Sequence, residues 1–284
     1  MVQKKEKIME VLFLLTACVS VVAVALICIF LFANGLPAML KIGIPDFLLG
    51  TKWKPGNDKY GIFPMILGSI YVTAGAIITG VPVGIFMAVF MAKFCPPKLH
   101  SILKPIVDLL AGIPSIVYGF FGLVVMVPWV RAHFSGNGNS IFTASLLLGI
   151  MILPTIIGVS ESALRAVPET YYEGALALGA THERSVFTVV LPAAKSAVMA
   201  AVVLGVGRAI GETMAVMMVA GNQARIPDSI FKGVRTMTTN IIIDMGYAAG
   251  LHREALIATG VVLFVFILII NLVFSLLKRK NEVA

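Results

Sequence analysis

Charge is what this sequence has least of. Asp, Glu, Lys and Arg make up 13% of its 284 residues while 59% are hydrophobic, against about 25% charged residues in a water-soluble domain. The chain is therefore an integral membrane protein. Cysteine is scarce too: Cys18 and Cys28 lie in the first apolar run and Cys95 in a short polar loop, with no pairing framework and no metal-ligand spacing. They read as inert thiols, and no metal site is expected. No Gly-x-x-x-x-Gly-Lys-Ser/Thr loop is present, so ATP hydrolysis by that route is excluded for this chain. Internal repeats, low-complexity tracts and a soluble domain are also missing. The net charge of +8 raises a nucleic-acid partner or an anionic cargo. Its distribution beside apolar runs is an ordinary topology signal, so nucleic acid is not an expected partner.

What the chain has is apolar runs. Six approach or exceed the roughly 20 residues needed to cross about 30 Å of hydrocarbon: Val11–Ala33, Ile66–Ala92, Pro105–Val130, Ile141–Leu164, Ala193–Gly221 and Ala255–Leu277. The first, after Lys4-Lys5-Glu6-Lys7, is too long for a signal peptide and reads as an uncleaved helix. Turn signals fall at Lys54-Pro55-Gly56-Asn57-Asp58 and Ser135-Gly136-Asn137-Gly138-Asn139, and Ser229–Met245 reads as an interfacial amphipathic helix. The fold class is all-α with six transmembrane helices. Residues 1–63 hold the first helix and an external loop; residues 64–284 hold a five-helix core that includes a surface hairpin at 168–192. Placing both termini in the cytoplasm puts 12 of the 22 Lys and Arg residues inside, among them Lys93, Lys98, Lys104, Arg165, Arg184 and Lys195. Most of the outside ones fall in two long loops, where charge counts less.

The hairpin, Tyr171 to Pro192, is the polar island between two long apolar runs. Pro168 and Glu169 suit a first helical turn, and Gly179 is placed to end that helix in the left-handed conformation. Thr181 caps a second short helix running into Val189, with Glu183 in its first turn and Leu191-Pro192 closing it. Such an element is too short and polar to span, so it lies at the membrane surface, within reach of a soluble partner. The spacing Glu173-Gly174-Ala175, three residues, Gly179, nine residues, Val189, one residue, Leu191-Pro192 resembles the EAA loop of permease subunits of bacterial ABC importers. Gly174 stands for the first alanine and Val189 for isoleucine. The resemblance implies that Glu173, Gly174, Ala175 and Gly179 couple the chain to a cytoplasmic ATPase.

Two charges fall inside an apolar run. Arg208 lies about midway along the fifth run and Glu212 one helical turn further on, an i,i+4 pair near the bilayer centre. Intramembrane charge costs at least about 2.5–3.5 kcal/mol per residue and generally marks a polar path. Arg208 and Glu212 are therefore the candidate substrate path. Asp108 either lines it or pairs with Lys104, and Ser115, after the Gly112-Ile113-Pro114 break, is a further candidate lining residue. Gly205, Gly207 and Gly211 read as helix-packing glycines.

Three further stretches are similar to the PstC family of phosphate-importer permeases. They are Trp53–Gly61, Gly112–Gly119 and Gly207-Arg208-Ala209-Ile210-Gly211-Glu212-Thr213-Met214-Ala215. That resemblance implies the type I importer fold in a bacterial inner membrane, paired with a PstA-like permease as a heterodimer. It also implies a PstB-like ATPase dimer below and a PstS-like phosphate-binding protein outside, with Arg208 and Glu212 needed for phosphate passage. Neither a catalytic residue nor a cofactor is expected in this chain, since the partner uses the ATP. A related oxyanion is the alternative cargo, and an ion-coupled secondary transporter the alternative mechanism. The latter predicts inverted repeats, which the sequence does not show.

Overall fold

A backbone in hydrocarbon must satisfy its own polar groups, and the apolar runs here are accordingly helical. The computed structural model describes residues 2–134 and 136–282. Ser135 of the predicted turn and the ends Met1, Val283 and Ala284 lie outside the described residues, as do the side chains of Lys4, Lys5, Lys278, Arg279 and Lys280. From the N-terminus, α1 (Val2–Ile42) and α2 (Ile44–Leu49) lead to a hairpin of β1 (Trp53–Lys54) and β2 (Lys59–Tyr60), with Trp53 opposite Tyr60. Then come α3 (Phe63–Val89), α4 (Pro97–Gly112), α5 (Ser115–Phe121), α6 (Val127–His133) and α7 (Ile141–Arg165). The surface hairpin consists of α8 (Glu169–Ala177), α9 (His182–Ser185) and α10 (Leu191–Ala193). It is followed by α11 (Lys195–Gly211), α12 (Met214–Val219), α13 (Met237–Met245) and α14 (Gly250–Glu282).

Among the described residues five helical stretches are long and apolar enough to span: Met9–Ile42, Phe63–Phe94, Ser115–His133, Ile141–Arg165 and Gly250–Leu276. The bent pair His182–Ala193 and Lys195–Gly211, at 71° to each other, adds a sixth where the two are counted as one broken span. α7 is the central post, with α3, α11 and α12 packed on it. At Gly80 an added β-carbon would come within 2.7 Å of the Gly149 carbonyl oxygen, so α3 and α7 touch nearly backbone to backbone. Close approach through small residues is how helices gain packing where lipid removes the usual hydrophobic drive.

Several boundaries differ from those read off the sequence. The first helix runs on to Ile42, because Ala38 and Met39 are buried against the β hairpin and α14, and ends where Gly43 turns at φ 94°. The third span does not begin at Pro105. Pro105 lies inside α4, and the span proper starts at Ser115, after Ile113 is held extended by the proline that follows it. The fifth span is interrupted at Glu212-Thr213 rather than continuous to Gly221. Leu191-Pro192 does not close the surface hairpin: Pro192 sits in the first turn of α10, where its missing N–H is harmless, and the bend comes at Ala194. In Ser229–Met245 only Met237–Met245 is helical. That helix turns one face inward, with Met237, Thr238, Thr239, Asn240 and Asp244 buried, and leaves Ile242 exposed.

At the end of the bundle opposite the surface hairpin, Asp244 gathers the connections. Its Oδ2 accepts from Trp53 Nε1 at 2.8 Å and lies 3.4 Å from His252 Nε2; its Oδ1 accepts from the Tyr247 hydroxyl at 2.8 Å and faces Arg235 at 3.5 Å. The carboxylate in turn holds the Tyr247 hydroxyl above the usual tyrosine range. One buried carboxylate thus staples the β hairpin to α13 and α14. Hydrogen bonds to charged groups contribute about 1.5–3 kcal/mol each. A double-mutant cycle of Trp53→Phe and Asp244→Asn is expected to show a coupling of about 1–2 kcal/mol in thermal unfolding; additive losses would show that the indole N–H contributes nothing.

Candidate functional site

Two helix breaks define the site. α4 stops at Gly112, and its freed Leu110 carbonyl accepts the Tyr118 hydroxyl of α5 at 2.8 Å. α11 stops at Gly211, and Glu212 is extended at φ −69°, ψ 130°. Glu212 Oε1 then accepts the backbone N–H groups of Thr213 at 3.1 Å and Ala215 at 3.2 Å, while Thr238 donates to the Glu212 carbonyl at 3.1 Å. The intramembrane carboxylate, one residue before the N-cap position Thr213, therefore satisfies backbone donors at the start of α12, much as a capping aspartate or serine does. The two broken helices are neighbours. A β-carbon on Gly119 would come within 2.9 Å of Ala215 Cα, and Ile113 packs into the cluster containing Tyr118, Ala209 and Ala215.

Arg208 occupies the last turn of α11, half-buried, and forms no ion pair among the described residues. The expected Arg208–Glu212 pair does not form, because the helix ends between them and carries Glu212 off that face. Gly205 packs against Ile156, as read, but β-carbons on Gly207 and Gly211 would meet nothing within 4 Å. These two glycines leave bare, open backbone beside the guanidinium. Ser115 opens α5 just past the first break and is half-buried. Asp108 is turned away: its side chain is 60% exposed and pairs with Lys104 at 3.3 Å.

Lys104 leads to a cluster that the sequence reading missed. Glu161 on α7, with a side chain only 5% exposed, meets His100 Nε2 at 2.6 Å and Arg165 Nε at 2.9 Å through one oxygen. The other oxygen faces Lys104 at 3.7 Å, an ion pair too long for a hydrogen bond. Arg165 also donates to the Met91 carbonyl at 2.9 Å. The cluster ties α4 to the end of α7 that continues into the surface hairpin. Its signal was present, a lone acid within an apolar run, and it is the same signal that singled out Glu212.

The hairpin has the expected turn. Gly179 has φ 85°, its N–H bonds to the Leu176 carbonyl at 2.9 Å, and the Ala180 N–H bonds to the Ala175 carbonyl at 3.1 Å. These two bonds end α8 as a left-handed glycine cap does. Thr181 accepts from Arg184 N–H at 3.3 Å, and the Glu183 carboxyl is held below its usual range by its own backbone N–H and by Thr181. The Tyr172 hydroxyl meets His182 Nδ1 at 2.7 Å, which locks α8 to α9. Glu173 and Gly174 are exposed and Ala175 half-buried; Leu178, not singled out beforehand, is 92% exposed at the tip. Arg208 lies thirteen helical steps past Lys195, about 20 Å of helix between the hairpin and the breaks. Among the described residues no group of three or more His, Cys, Asp or Glu side chains could hold a metal ion.

Comparison with known proteins places this arrangement. Residues 80–283 match the family described as binding-protein-dependent transport system inner membrane component. The chain is 40% identical over 281 residues to the probable ABC transporter permease protein YqgH of Bacillus subtilis, covering 94% of this chain and 90% of that one. It is 35% identical over 265 residues to the phosphate transport system permease protein PstC of Mesorhizobium japonicum, covering 86% and 81%. Among solved structures, a permease chain of the MetNI methionine ABC transporter matches with a TM-score of 0.58 at 21% identity, covering 78% of this chain and 94% of that one. A chain of a bacterial alginate ABC transporter, in complex with an alginate-bound periplasmic protein, matches with a TM-score of 0.61 at 15% identity, covering 93% and 94%. Both show the type I importer fold. The chain belongs to the binding-protein-dependent transport system inner membrane component family, as a permease subunit of an ATP-driven importer.

Proposed function

We propose that the cargo is phosphate, passed between this chain and a second, PstA-like permease, with Arg208 as the group that meets the anion. The observation that carries this reading is the unpaired, half-buried guanidinium of Arg208 beside the open backbone of Gly207 and Gly211. A desolvated cation without a counter-charge is costly in a bundle that spans a membrane, and an anion that visits it offsets that cost. A guanidinium presents a planar fork that grips two phosphate oxygens at once. Glu212 belongs to the same path, where its carboxylate holds the second break open. Ser115 lies past the first break and Asp108 is a peripheral candidate. Relatives named for phosphate transport support the choice of cargo.

The surface hairpin takes a PstB-like ATPase dimer, through Glu173, Gly174, Ala175, Gly179 and the protruding Leu178. The hairpin end is then cytoplasmic, with both termini, in a bacterial inner membrane. A PstS-like binding protein delivers phosphate at the opposite end, over the β hairpin. ATP is bound and hydrolysed by the partner; this chain supplies no catalytic residue.

Arg208→Lys keeps the charge and loses the fork. Assembly is expected to be unchanged and phosphate uptake to fall about tenfold, the equivalent of one charged hydrogen bond. Uptake equal to the parent would show that any cation suffices. In the hairpin, Gly179→Leu forces a bulky residue to φ 85° at a cost of about 1–2 kcal/mol. The variant is expected to insert normally while ATP hydrolysis no longer tracks uptake; unchanged coupling at equal expression would reduce the hairpin to a linker. Gly174→Ala is the opposite case. A β-carbon there meets nothing within 4 Å, so the change is expected to stabilise α8 by about 1 kcal/mol and leave uptake intact.

A further inference from the structure

Beside the Glu212 break lies a small, partly open cavity of about 10 Å³, room for one water-sized species. Its polar lining comes from three separate elements: Ser69 and Thr73 on α3, Glu212 at the break, and Thr236 and Thr238 at the start of α13. Thr73 is only 7% exposed, and its hydroxyl has no hydrogen-bond partner among the described residues. Ser69 Oγ accepts the Met237 N–H at 3.0 Å and keeps a lone pair free. Glu212 spends Oε1 on the α12 cap and leaves Oε2 without a partner. No Lys, Arg or His lies within ion-pair distance of Glu212 among the described residues. The cavity therefore combines one carboxylate without an ion-pair partner with the under-used hydroxyl oxygens of Ser69 and Thr73, while the Thr236 and Thr238 hydroxyls are already bonded.

We propose that this cavity binds a sodium ion. A donor set made only of carboxylate and hydroxyl oxygens suits a hard cation, and the hydroxyls leave no thiol or imidazole to select a transition metal. The charge is single, matching one carboxylate. The space admits a monovalent cation of about the size of water or smaller. Interrupted membrane helices are a setting in which freed oxygens and a carboxylate coordinate such ions. Bound there, sodium neutralises Glu212 within the bundle, so that an anion approaching Arg208 meets a net positive site. It also ties α3, the α11–α12 break and the start of α13 into one unit. This assignment concerns a second ligand and stands whether or not the cargo is phosphate.

The test uses the complete transporter in lipid nanodiscs, unfolded thermally in NaCl, KCl or choline chloride at equal ionic strength. Sodium binding is expected to raise the unfolding temperature by about 2–4 °C over choline, with potassium giving less. Thr73→Val, which keeps the shape and removes one oxygen, is expected to abolish that difference. Equal unfolding temperatures of the parent in the three salts would leave the cavity to a water molecule and overturn the proposal. A sodium effect of undiminished size in Thr73→Val would place the ion elsewhere and overturn it as well. Should Thr73→Val fail to assemble, the salt series on the parent decides.

Discussion

A backbone amide or carbonyl inside hydrocarbon must have a partner, and at each of the two breaks that define the site a side chain provides one. The Tyr118 hydroxyl closes the end of α4. The Glu212 carboxylate opens α12, and the Thr238 hydroxyl holds the Glu212 carbonyl. At the second break, where no proline intervenes, a helix continued past Gly211 would return Glu212 to the face of Arg208, one turn away. The free guanidinium is thus a product of the capping. Its lack of an ion-pair partner among the described residues follows from a carboxylate that is engaged with the backbone four residues away.

The same rule orders the two ends of the molecule. At one end Asp244 gathers an indole, a hydroxyl, an imidazole and a guanidinium, and so fixes a short hairpin that has only two residues per strand. At the other end Glu161 gathers His100, Lys104 and Arg165. Each buried acid joins elements far apart in sequence. The membrane-facing surfaces between these ends are plain apolar side chains, and the packing there comes from small residues such as Gly80 and Gly149.

Much of this was legible in the residues. Composition gave the class, and the runs gave the spans to within a turn where nothing interrupts them, as for Ile141–Arg165. The hairpin was legible in detail, because glycine at φ 85° and threonine at a cap act locally. Where the reading missed, the deciding contact was distant. Periodicity continued a helix through Glu212 because the pull of α13 on that carbonyl comes from Thr238, 26 residues on. Ser229–Met245 looked amphipathic because its polar face is real, yet that face turns inward to Ser69 and Arg235. Arg208 and Glu212 were found as residues and mistaken as a pair. Glu161 was passed over although the same reasoning applied to it.

The 71° bend at Ala194 gives the molecule a lever. The hairpin forms the short arm and α11 the long one, with the elbow at the membrane surface and Arg208 about 20 Å along the shaft. A rigid rotation of about 5° at the elbow displaces the guanidinium by roughly 2 Å, more than half the length of a hydrogen bond. Gearing of that kind turns a slight rocking of the hairpin into a displacement of atomic size at a charge deep in the bundle.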